Sequence, residues 1–138
     1  MKCMVVDDNP LVGRYIKQQM LKRYGALVEV LVFDNPFEAI RQLQPDVDVL
    51  IVDYEMPGLS GPAFIDFAVQ RGIDRHRIIV LSSHDPDEIR QTIPLGRCLA
   101  IIHKQDRTQQ EILRLIMDSL IKRARSKKPF PNGPASDT

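Results

Sequence analysis

The feature that most limits what this chain can fold into is a fivefold alternation between two hydrophobic patterns. Short apolar runs rich in β-branched residues occur at Cys3–Val6, Leu27–Phe33, Val47–Val52, Ile78–Leu81 and Ala100–Ile102. Between and after them lie longer stretches whose apolar residues recur at helical spacing, such as Val12, Tyr15, Ile16 and Met20, or Ile112, Leu115, Ile116 and Leu120. A short continuous run bounded by turn residues reads as a strand buried on both faces, and the wider spacing reads as helix. Strand followed by helix, five times over, predicts an α/β domain with a parallel sheet and helices on both faces.

The helix starts support this division. Asn9-Pro10, Asn35-Pro36, Gly61-Pro62 and Asp85-Pro86 each place Pro at the first helical position behind a capping-type residue. Asn35 with Glu38, Asp85 with Glu88 and Thr108 with Glu111 have the spacing of capping boxes. The pattern ends after about Lys122, which sets a domain over residues 1–123. The remainder, 124–138, is a basic run followed by "PFPNGPASDT". It reads as a frayed helix end and solvated tail, with an interdomain linker or a docking arm for an acidic surface as the alternative.

At 138 residues the chain is long enough for one domain with a full core. Its 19 basic and 18 acidic residues nearly cancel, so overall charge points neither to nucleic acid nor to a membrane surface. No apolar run approaches membrane-spanning length, and "MKCMVVDD" turns acidic too early for a signal peptide. Cys3 and Cys98 have no metal-ligand spacing and form no disulfide framework. A reducing cytoplasm is the expectation.

In open parallel sheets, ligands bind beyond the carboxyl ends of the strands. There the first strand ends at Asp7-Asp8, the third at Asp53, the fourth at Ser82-Ser83, and the fifth is followed by His103-Lys104. Any one of these alone would be ordinary: an Asp after a strand usually caps a turn or helix, and a lone Lys is usually solvated. Together they collect three carboxylates, a hydroxyl and an ammonium at one edge. Close carboxylates repel unless one is protonated or a hard cation joins them. Mg2+ fits such a site, since it takes one or two carboxylates, keeps waters and favours phosphate oxygens. Lysine and hydroxyl beside it would cradle a phosphoryl group, leaving Asp53 as a nucleophile that forms an aspartyl phosphate.

In "VVDDNP", "VDYEMPGLSG", "VLSS" and "IIHK" the sequence resembles the receiver domains of bacterial two-component response regulators, over nearly all of Lys2 to Lys122. The resemblance implies a flavodoxin-like, doubly wound sheet in the order 2-1-3-4-5, which sets the first and third strands side by side. It implies that Asp53 accepts phosphate from the phosphohistidine of a sensor histidine kinase or phosphotransfer protein. Asp8 and Asp53 would ligate Mg2+ directly, with the Glu55 main-chain carbonyl as a third ligand and Asp7 acting through water. Ser82 would hydrogen-bond the phosphoryl group and Lys104 would pair with it. A downstream protein would read the change through the fourth helix, fifth strand and fifth helix, and a homodimer is possible.

Two positions depart from that family's pattern. Gln105 stands where proline usually follows the lysine, so a trans Lys104–Gln105 bond is expected, because a cis bond before a non-proline residue costs about 2.5–4 kcal/mol. Ile101 replaces the usual aromatic switch residue. Glu55 and His84 border the site and either tune the phosphate lifetime or are simply solvated loop residues. The alternatives are the input half of a DNA-binding regulator, although these residues hold no helix-turn-helix pattern, and a degenerate receiver that binds without phosphate. A haloacid-dehalogenase-type phosphatase would want Asp where Glu55 stands, and a flavin phosphate would be repelled by "DDNPLVG".

Overall fold

The computed structural model describes residues 1–126. The predicted runs become five strands, β1 (Lys2–Val6), β2 (Glu29–Phe33), β3 (Val49–Asp53), β4 (Ile78–Ser82) and β5 (Ala100–His103). Five helices follow them in turn: α1 (Pro10–Tyr24), α2 (Pro36–Gln42), α3 (Gly61–Gln70), α4 (Pro86–Ile89) and α5 (Arg107–Ser126). Every neighbouring pair is parallel, in the order β2-β1-β3-β4-β5. The chain steps outward from β1 to β2 and then crosses back to β3, so the strand order reverses between β1 and β3.

Alternation along the strands divides the core into two layers. Met4, Val6, Leu50, Val52, Ile78 and Val80 face Ala39 of α2 and Leu43 just past its end, Phe64, Ile65 and Ala68 of α3, and Ile89 of α4. Cys3, Val5, Val49, Ile51, Ile79 and Leu81 face Met20 of α1 and Met117 of α5. All five residues of β3 and all five of β4 are buried, as the centre of a doubly covered parallel sheet requires. On the α1 side the contact is close. A Cβ on Gly13 would lie 2.4 Å from Val32 Cγ1, so glycine lets this helix settle directly onto β2.

Several boundaries differ from the sequence expectation for identifiable reasons. Gly25–Leu27 forms a single 3-10 turn, with Gly25 at φ +55°, so β2 begins only at Glu29. The cap of α3 is Ser60, whose Oγ accepts from the Ala63 amide at 3.3 Å, and Gly61 is already helical. The cap of α5 is Asp106, which accepts from Thr108 at 2.9 Å and Gln109 at 3.4 Å. Thr108 is thus inside the helix, and Glu111 reaches forward to Arg114. Asn9, Asn35 and Asp85 cap α1, α2 and α4 as expected. The fourth helix is a single turn, and residues 90–99 continue in turns and bends. On α5, Leu113, Met117 and Ile121 face inward, whereas Ile112 and Leu115 are exposed. That helix runs through Ser126, past the expected domain edge, and residues 127–138 of the expected tail lie outside the described residues.

Candidate functional site

The carboxylates gather where the strand order reverses. Register pairs Val6 with Val52, so Asp7 and Asp53 leave adjacent strands side by side. Oxygens of Asp7, Asp8 and Asp53 all lie within 4.8 Å of one another. Asp7 and Asp53 are buried while Asp8 is exposed, so the cluster opens to solvent on one side. Lys104 reaches in from the end of β5, with Nζ 2.7 Å from Asp7 Oδ2 and 3.1 Å from Asp53 Oδ1.

The balance of charge is incomplete. Asp7 Oδ1 accepts from the Asn9 amide at 2.9 Å, but its enclosed Oδ2 makes no hydrogen bond of normal geometry. Its compensation is the ionic contact with Lys104, which is close but poorly directed. Burial, and then the charge of Asp7, push the Asp53 carboxyl up to about 7, against the pull of Lys104. Burial pulls the Lys104 ammonium down, yet its contacts with Asp7 and Asp53 outweigh that and leave it above its ordinary value. One ammonium among three carboxylates leaves a net negative pocket of oxygen donors. The under-compensated Asp7 oxygen and the raised Asp53 both fit a site that a hard divalent cation completes.

The β3–α3 loop is held close to Asp53. A Cβ on Gly61 would lie 2.7 Å from the Asp53 carbonyl oxygen and 2.8 Å from Tyr54 Cα, so only glycine permits this approach. The Gly61 amide donates to the Tyr54 carbonyl at 2.8 Å, and Gly58 turns the loop at φ +82°.

Ser82 is buried at the end of β4, and its Oγ accepts from the His84 amide at 2.9 Å. The hydroxyl proton remains available to donate. The Glu55 side chain does not join the three Asp residues; it contacts His84 Nε2 across the site. The His84 ring also meets Tyr54 edge to face at 6.4 Å. Glu55 and His84, expected either to tune the phosphate lifetime or to be solvated loop residues, bridge the loops that follow β3 and β4. Ile101 is buried in the α2–α3 layer, and the described residues hold no cis peptide, so Lys104–Gln105 is trans as expected.

Sequence reasoning missed the residues that anchor the lysine loop. The Lys104 amide donates to the Ser82 carbonyl at 2.8 Å, and the Gln105 amide to His103 Nδ1 at 3.1 Å. Gln109 Oε1 accepts from the His103 amide at 2.6 Å, and Gln110 Nε2 donates to the Lys104 carbonyl. Two glutamines in the first turn of a helix carry no signal that separates them from solvated ones.

The sequence matches the response regulator receiver domain family over residues 3–117. It is 32% identical over 93 residues to protein-glutamate methylesterase/protein-glutamine glutaminase 2 of Koribacter versatilis, covering 66% of this chain and 24% of that protein. It is 31% identical over 107 residues to a nitrate/nitrite response regulator protein homolog of Haemophilus influenzae, covering 70% of this chain and 46% of that one. The chain thus spans less than half the length of either. A receiver domain crystal structure from Clostridium thermocellum superposes with a TM-score of 0.70 at 25% identity, covering 92% of this chain and 98% of that one. With its Asp cluster at the β1–β3 switch point and this match over most of its length, the chain belongs to the response regulator receiver domain family of two-component systems.

Proposed function

We propose that the chain is a phosphorylation-controlled signalling receiver in which Asp53 takes a phosphoryl group from the phosphohistidine of a sensor histidine kinase or phosphotransfer protein. The observation that carries this reading is the position of Asp53, between the Asp7 carboxylate and the Lys104 ammonium at the open edge of the sheet. An Asp53 oxygen attacks phosphorus, the new O–P bond forms as the P–N bond breaks, and the electron pair leaves with the imidazole nitrogen. The attacking form is the carboxylate, so whatever favours ionised Asp53 favours transfer. Asp8, Asp53 and the Glu55 main-chain carbonyl would hold Mg2+, with Asp7 acting through water. Bound there, Mg2+ supplies positive charge that offsets the crowded carboxylates and the transferring oxygens. Lys104 pairs with a phosphoryl oxygen and Ser82 donates its hydroxyl proton to another.

Output passes to a protein partner through the surface of α4, β5 and α5. Because α4 is one turn, α5 contributes most of it, and Ile112 and Leu115 are exposed there. A homodimer through the same surface is the competing use. Among the described residues no helix is long and apolar enough to cross a membrane. A cytoplasmic location follows from the family reading. The phosphate-independent binding module draws support from Ile101 and Gln105, but the convergence of three carboxylates, a buried hydroxyl and an ammonium favours the phosphoryl reading.

The test is intact mass before and after incubation with acetyl phosphate and Mg2+. A gain of roughly 80 Da on wild type and none on Asp53→Asn is expected. No adduct on wild type, with Mg2+ bound, would overturn the proposal.

A further inference from the structure

Lys104 lies on a loop whose shape is not fixed by proline. Instead, four backbone groups from His103 to Gln105 are each held by a partner. The His103 amide donates to Gln109 Oε1, the Lys104 amide to the Ser82 carbonyl, and the Gln105 amide to His103 Nδ1, while the Lys104 carbonyl accepts from Gln110 Nε2. The orientation of both side-chain amides follows from their partners, since an N–H requires an acceptor and a carbonyl requires a donor. Both glutamines are half-buried on the first turn of α5. They are not needed to start that helix, because Asp106 already caps the amides of Thr108 and Gln109. Neighbouring helical residues point about 100° apart. That lets Gln109 and Gln110 grip the loop at two places, before the lysine and at its carbonyl.

We propose that Gln109 and Gln110 are positioning residues for Lys104, fixing its backbone so that the ammonium stays between Asp7 and Asp53 during phosphoryl transfer. The inference rests on the proposed phosphorylation of Asp53. A lysine reaches its target through a flexible four-carbon stem, so its precision depends on where its Cα is held. At Gln109 the required group is an acceptor, and at Gln110 it is a donor.

That polarity gives a test which size, helix propensity and charge do not mimic. Gln109→Glu and Gln110→Glu each add one carboxylate to the same helical turn, where a negative charge is tolerated. Gln109→Glu keeps the acceptor for the His103 amide, whereas Gln110→Glu loses the donor to the Lys104 carbonyl. Rates of Asp53 phosphorylation by acetyl phosphate with saturating Mg2+ are read by intact mass, alongside urea midpoints. Gln109→Glu is expected to stay within about twofold of wild type, since a carboxylate accepts the same bond. Gln110→Glu is expected to slow phosphorylation by about tenfold to a hundredfold, the scale of a misplaced catalytic group. Gln110→Met, which removes the donor without adding charge, should do the same. In a Lys104→Ala background, Gln110→Glu should have no further effect, because residues acting through one another are not additive.

Equal slowing by both Glu variants would overturn the inference, as would a wild-type rate for Gln110→Glu or an equal loss with and without Lys104. Each of those results occurs with wild type phosphorylated. A wild type that gains no phosphoryl group refutes the phosphoacceptor reading itself, and the inference with it.

Discussion

Replacing Asp53 with Asn isolates the cost of holding a charge at the end of β3. Burial, and then the neighbouring Asp7, raise its carboxyl from 3.8 to about 7. Because the folded-state value is the higher one, folding favours the protonated form. That contribution is present in full below about pH 4 and is lost as pH rises through about 7. The rise is equivalent to roughly 4 kcal/mol, part of which is shared with Asp7 and Lys104, so a loss of about 1–3 kcal/mol is expected. With chelator present, wild-type stability should fall by that amount between about pH 5 and pH 8.5 relative to Asp53→Asn. The variant keeps the shape of the side chain and removes the titration. It should therefore be the more stable protein at the alkaline end. The assay is urea unfolding followed by circular dichroism at intervals across that range, with the denaturant slope checked for constancy. Excess Mg2+ should restore wild type at high pH and leave the variant unchanged, because a ligand stabilises only the state that binds it. Parallel pH profiles for the two proteins would refute the reasoning, as would a variant less stable than wild type near pH 8.5.

Two further outcomes test the packing that supports the site. Gly13→Ala should destabilise the fold by about 1–3 kcal/mol, since its Cβ would lie 2.4 Å from Val32 Cγ1, and Val32→Ala should recover part of the loss in the double variant. On α5, Met117→Ala should cost about 2–5 kcal/mol in urea unfolding, whereas Leu115→Ala, 62% exposed, should stay within about 0.5 kcal/mol of wild type.

The sequence made the architecture readable because its signals agreed. Apolar runs long enough for buried strands alternated with helical spacing, and Pro after Asn or Asp marked where helices begin. The strand order came instead from the resemblance, since periodicity does not say which strands are neighbours. Where two local signals competed, the sequence was ambiguous. In Ser60-Gly61-Pro62 either of the first two residues can cap; in the structure the Gly61 amide bonds the Tyr54 carbonyl and the Ala63 amide bonds Ser60 Oγ, which leaves the serine as the cap. On α5, apolar residues surround the helix, so Ile112 and Leu115 read as well for the inner face as Leu113 and Met117. Tertiary contact with Cys3, Val5 and Ile79 selects the latter. The shortness of α4 was hidden behind a good cap at Asp85. The strand-end residues were accessible to sequence reasoning because sheet topology carries strand ends to one edge. The glutamine anchors were not, because their role depends on a loop shape that no local pattern encodes.

The two fully covered strands at the centre of the sheet also set a timescale. Asp53 and Ser82 are the last residues of β3 and β4, each buried along its whole length. Amides in such strands exchange with solvent only through openings that approach global unfolding, whereas surface loops open at little cost. Glu55, His84 and Lys104 stand on the loop side of that divide. An acyl phosphate on Asp53 would thus be anchored in the part of the molecule that opens least, with only loop residues between it and solvent. Its survival against water would be decided by fluctuations of the loops above it, while the sheet beneath stays closed.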